Sequence, residues 1–110
     1  YPLLEAAEVL VFATPVYFFG FSSQLKCVID RFYAKALVGH HVSQCALLAV
    51  GADLAETQVF EPIVATYRAI AGYLKWEDLG VVTVDGVTAK GEVCRTDGLE
   101  RARTLGAGIK

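Results

Sequence analysis

Residues 9–13 read Val-Leu-Val-Phe-Ala, and Thr14-Pro15 follow directly. An apolar run rich in β-branched and aromatic residues is how a strand covered on both faces reads. Proline offers no N–H to a ladder and holds the residue before it extended, so the strand is expected to stop at 13. Val16 and the aromatic run Tyr17-Phe18-Phe19 come next, closed by Gly20. Ser22-Ser23 then supplies N-cap chemistry. Leu25, Val28, Ile29, Phe32, Tyr33 and Ala36 recur at helical spacing as one stripe. The stretch is therefore expected to run strand, aromatic loop, capped helix, the helix covering 22–37.

The rest of the chain repeats that alternation. Residues 2–8 read as the tail of a helix, and Gly39-His40-His41 closes the helix at 22–37. Residues 44–50 (QCALLAV) form a second buried strand, followed by the turn Gly51-Ala52-Asp53. A second amphipathic helix is expected over 57–74, with Pro62 either at its regular start near Glu61 or at a kink. A third strand falls within 76–84, from Asp78 or Leu79 onward. Thr96-Asp97 precedes a last helix at 98–106, and Asp97 with Glu100 has part of the form of a capping box.

Strands alternating with helices mean βαβ units and a parallel sheet with right-handed crossovers. The expected fold class is α/β, a single domain over 1–110. It raises a topological problem. The strand at 9–13 reads as central, yet the strand at 44–50 is its one neighbour in sequence. A strand left open on one side exposes a ladder that pairs readily with other chains. The open edge is expected to be filled by residues upstream, by a second copy or by a partner. The start at Tyr1, with no methionine in the chain, agrees with a missing upstream part.

Open parallel sheets bind ligands at the carboxyl ends of their strands. The loop after residue 13 combines freed backbone donors, flat aromatic side chains and a helix N-terminus, which suits a planar ring system with a polar edge. Read alone, the same aromatics also suit a core or a dimer interface, with the proline merely stopping the strand. Gly51-Ala52-Asp53 lies beside that loop at the same sheet edge, either approaching a ligand, as glycine permits, or as an ordinary turn.

The wording ATPVYFFGFSSQLKCVIDR resembles the flavin-ring loop of the NADPH-dependent FMN reductase and iron–sulfur flavoprotein families. A looser echo runs through Tyr73-Leu74-Lys75-Trp76-Glu77-Asp78-Leu79-Gly80 and Asp85-Gly86-Val87. The resemblance implies a flavodoxin-like three-layer αβα fold, of which this chain carries the last three strands and their helices. It implies FMN as cofactor, with Thr14, Pro15, Val16, Tyr17, Phe18 and Phe19 around the ring. The amides and the Thr14 hydroxyl would meet its polar edge, and Tyr17 with Phe18 or Phe19 would flank its plane. Gly51 and Asp53 would approach from the second loop. It further implies NAD(P)H as co-substrate and a quinone, free flavin, metal ion or redox protein as electron acceptor. A cytoplasmic dimer or tetramer would be the working form. An iron–sulfur flavoprotein would need its cysteine motif upstream; a fragment that only binds a partner is the other alternative. The chain departs from the families in lacking a Ser/Gly/Asn/Thr-rich phosphate loop, and it has neither GxGxxG nor GxxxxGK[ST]. The chemistry would be the flavin's, so no catalytic side chain is named.

Other classes are excluded by composition. A formal charge of −2 offers no basic face for nucleic acid. The apolar run at 9–21 is broken by Thr14-Pro15 and is shorter than the roughly 20 residues a spanning helix needs. It has no charged leader region either. Cys27, Cys45 and Cys94 are odd in number and dispersed, which fits reduced thiols buried as small hydrophobes. No residues have metal-ligand spacing, and His40-His41 reads as a solvated connection.

Overall fold

The computed structural model describes residues 2–32, 34, 41–54 and 57–109. Along the chain run α1 (Pro2–Ala6), β1 (Val9–Pro15), α2 (Ser23–Arg31), β2 (Gln44–Val50), α3 (Glu61–Leu74), β3 (Glu77–Val84), a 3-10 turn (Glu92–Arg95) and α4 (Gly98–Ala107). The strands form one parallel sheet in the order β1-β2-β3. Its first ladder runs in register from Val9↔Gln44 to Pro15↔Val50.

Side chains alternate across a strand, so the register assigns the layers. Phe12, Cys45 and Leu47 share one face and pack with Ile29, Ile63, Tyr67 and Trp76 in a single apolar cluster beneath α2 and α3. Rings knit this layer: Phe12 meets Tyr67 at 6.2 Å and Phe32 at 6.4 Å between centroids. Val82 and Val84 point to the other face, where α4 lies. Gly98 brings that helix down, for a Cβ there would stand 2.4 Å from Val84 Cγ2. The order helix, sheet, helix is the expected three-layer α/β arrangement.

β2 is covered on both faces, with Cys45, Ala46, Leu47 and Ala49 buried. β1 is not. Phe12 and Thr14 are buried, but Val11 is 48% exposed and Ala13 is exposed as well. Its composition reads as a central strand, yet among the described residues its outer edge has no partner strand. β1 also continues through Pro15, beyond the expected stop. The ladder goes on with Val16 donating its N–H to Val50 O at 2.8 Å. N–H groups alternate in direction along a strand, so the donor that Pro15 lacks would have faced the open side, where proline is tolerated.

β3 begins at Glu77, slightly earlier than expected. Its pairing with β2 shifts register between Cys45 and Leu47. Gly80 takes up the extra residue at φ +145, a conformation side chains resist. Asp78 Oδ1 stabilises the bulge by accepting from Gly80 N at 2.9 Å and from the Tyr67 hydroxyl at 2.8 Å. Tyr67 is fully buried, and its hydroxyl also lies 3.2 Å from Cys45 Sγ. Burial first, then these two neighbours, push the phenol pKa up and keep it protonated. Burial likewise raises the Cys45 thiol.

α3 starts at Glu61 with Pro62 in its first turn, so the proline marks a start and not a kink. α2 ends at Arg31, capped by Phe32. Tyr33, residues 35–40 and with them Gly39 and His40 lie outside the described residues. The expected capping box at α4 does not form. Asp97 gives no side-chain cap bond, because its carboxylate pairs with Arg101 Nε at 3.0 Å. Thr96 Oγ1 accepts from Gly98 N instead, at 3.1 Å. Cys45 is buried as expected, whereas Cys27 and Cys94 are exposed, since each falls on the outer side of its helical turn.

Two substitutions test this packing by urea denaturation. Gly98→Ala is expected to cost about 1–3 kcal/mol, because Val84 is stiff at χ1 and the new methyl has no room. Tyr67→Phe is expected to cost about 1–2 kcal/mol, the loss of one buried hydrogen bond to a carboxylate.

Candidate functional site

The carboxyl ends of β1 and β2 carry the two loops singled out by sequence. After Val16 the chain makes a tight reversal. Tyr17 N donates to Gly20 O at 3.3 Å, and Gly20 N donates to Tyr17 O at 3.1 Å. Between them Phe18 and Phe19 sit at φ 45 and φ 70. Positive φ at both central positions is the geometry of a two-residue hairpin turn, normally given to Asn and Gly. Here two phenylalanines hold it, at about 1–2 kcal/mol each. Gly20 is therefore not the residue that makes the turn possible.

The consequence is exposure of three aromatics in a row. Tyr17 is 63% exposed, Phe18 98% and Phe19 47%. The turn uses the amides of Tyr17 and Gly20, and those of Phe18 and Phe19 find no partner among the described residues. They remain available as donors.

The second loop is tied to β3: Gly51 N donates to Val84 O at 2.9 Å, and Val87 N donates to Gly51 O at 3.1 Å. Gly51 is buried. A Cβ there would lie 3.3 Å from the Phe60 ring and 3.8 Å from Val16 Cβ. Glycine thus lets the first loop and the residues before α3 close against each other.

Between the loops is a shallow cavity of about 260 Å³, lined by Val16, Phe18, Phe19, Ala52, Asp53 and Val59. This lies just under the range of roughly 300–1,000 Å³ usual for pockets that enclose a small molecule. It can take the edge of a ring system and leaves the rest of a nucleotide outside. The structure therefore brings together four of the residues named from sequence: Val16, Phe18, Phe19 and Asp53. Gly51 shapes the floor without lining it. Pro15 ends the strand, and Tyr17 stands outside the lining. Thr14 is buried below, its hydroxyl donating to Pro15 O at 2.7 Å and accepting from Ser22 N at 3.1 Å. Ala52 enters the lining from the second loop, and Val59 joins it from outside both loops. Val59 falls within the helix expected over 57–74 but lies before the observed start at Glu61, and its place ahead of Pro62 is the sequence signal for that.

The family described as flavodoxin-like fold matches residues 2–105, and the chain belongs to it. Among solved structures, the Trp repressor binding protein of Bacillus subtilis is 26% identical with a TM-score of 0.80, over 94% of this chain and 71% of that one. A thermophilic tryptophan halogenase from Streptomycin violaceusniger is 15% identical, with a TM-score of 0.71 over 99% of this chain and 72% of that one. An NADPH-quinone reductase from P. pentosaceus is 18% identical, with a TM-score of 0.65 over 96% of this chain and 67% of that one. The last two are likenesses of fold. No curated protein matches the chain. No helix among the described residues is long and apolar enough to cross a membrane.

The turn offers a direct check. The double variant Phe18→Asn/Phe19→Gly supplies residues that accept positive φ, and is expected to raise stability by about 1–2 kcal/mol in urea denaturation.

Proposed function

We propose that this chain forms the ring-binding end of an FMN-dependent NAD(P)H oxidoreductase. One observation carries the reading. Two phenylalanines at unfavourable φ line a cavity at the carboxyl end of a parallel sheet, and their amides have no partner among the described residues. Strain of this kind persists where surrounding structure enforces it, and such sites tend to be functional. The residues present fit the group: flat rings for its plane, unpartnered amides for its polar edge, and Asp53 in the lining as an acceptor.

Bound there, FMN would supply the hydride and electron chemistry. Phe18 and Phe19 would border the ring and exclude water along one side. Val16, Ala52 and Val59 would give the cavity its apolar floor, and Gly51 would keep that floor close. The electron acceptor would be a quinone, a free flavin, a metal ion or a redox protein. Oligomerisation as a dimer or tetramer would cover Phe18, whose exposure is otherwise costly. The likeness in fold to an NADPH-quinone reductase agrees with this class of activity.

Titration with FMN, followed by flavin fluorescence, tests the proposal. Saturable quenching is expected, weakened about tenfold or more by Phe18→Asn/Phe19→Gly while the fold stays intact. Oxidation of NAD(P)H by the loaded protein is the next assay. The open edge of β1 favours a second reading, a sheet that pairs with another chain. Concentration-dependent assembly with no FMN binding would favour it over the first.

A further inference from the structure

We infer that Thr14 is a positioning residue for the ring site: it sets the aromatic turn from below through hydrogen bonds and does not itself touch the ring. This rests on the FMN reading above and assigns the hydroxyl a different role within it. The Thr14 side chain is buried at the end of β1, with 5% of its surface exposed. A buried hydroxyl is costly unless it is bonded. Thr14 Oγ1 is bonded in both capacities, donating to Pro15 O at 2.7 Å and accepting from Ser22 N at 3.1 Å.

The bond from Ser22 N closes the loop. Residue 14 is the last buried position of β1, and Ser22 is the N-cap of α2. Ser22 Oγ accepts from Leu25 N at 3.3 Å, and Ser22 O accepts from Lys26 N at 2.9 Å. The hydroxyl therefore links the end of the strand to the first turn of the helix, across eight positions of sequence. The Tyr17–Gly20 hairpin projects from this closed base. Phe18 has almost no packing of its own to fix its direction. Its aim is set by where the loop begins and ends. Thr14 is also absent from the cavity lining, while Val16, Phe18 and Phe19 are present in it.

The test combines amide hydrogen exchange at Ser22 with FMN titration on the wild-type chain, Thr14→Val and Thr14→Ser. Urea denaturation confirms that each variant folds. Valine keeps the shape and removes both bonds. In Thr14→Val, exchange at Ser22 is expected to speed up about tenfold, and FMN affinity to fall about tenfold, as for one lost hydrogen bond. The visible absorption of bound flavin is expected to shift with it. Thr14→Ser is expected to restore all three to within about threefold. Weaker FMN binding with unchanged Ser22 exchange would overturn the inference and make the hydroxyl a direct ligand. Faster exchange with unchanged affinity and flavin spectrum would overturn it by leaving Thr14 purely structural. Failure of serine to rescue would overturn it too. A wild-type chain that binds no FMN would instead bring down the ring-site reading, and this inference with it.

Discussion

The parallel ladder between β1 and β2 is what the candidate site depends on. Its register, held from Val9↔Gln44 to Pro15↔Val50, ends both strands at one level. The loop after Pro15 and the loop after Val50 are side by side for that reason alone. A slip of one residue would turn Phe12 out of the core and Val11 into it. Phe12 is gripped by Phe21, Phe32 and Tyr67, so such a slip would cost most of the apolar cluster. The core and the site thus rest on one register.

Strain and packing are divided between the two loops. The second loop is held by strand-like bonds to β3 and by contact of Gly51 with Phe60. The first holds two phenylalanines where glycine would rest more easily. It keeps them there through its bonded base and the reciprocal Tyr17–Gly20 pair. The second loop contributes Ala52 and Asp53 to the cavity, and the first contributes Val16, Phe18 and Phe19.

Much of this was legible in the chain. The alternation of β-branched runs with 3.6-periodic stripes yields the strands, the helices and the parallel sheet, and the bounds of β2 follow from composition alone. The pairing of the two loops follows from topology. Other features were hidden because they depend on neighbours distant in sequence. Asp97 looks like a cap until Arg101 competes for its carboxylate. Pro15 looks like a strand stop until the open side of β1 makes its missing N–H harmless. The Thr14 hydroxyl reads as a free donor in the loop, yet the fold gives it Ser22 N and Pro15 O as partners.

What the sequence by itself determined is therefore the order of elements, the sheet type and the two loops that meet at the carboxyl edge of the sheet. These are matters of local propensity and period, written into adjacent residues. Tertiary structure alone decided which face of β1 is covered and which glycine matters for close approach. It also decided that the aromatic turn runs through two phenylalanines at positive φ. Those outcomes are set by contacts between segments far apart in the chain, where the energy of packing and bonding outweighs what each residue prefers alone.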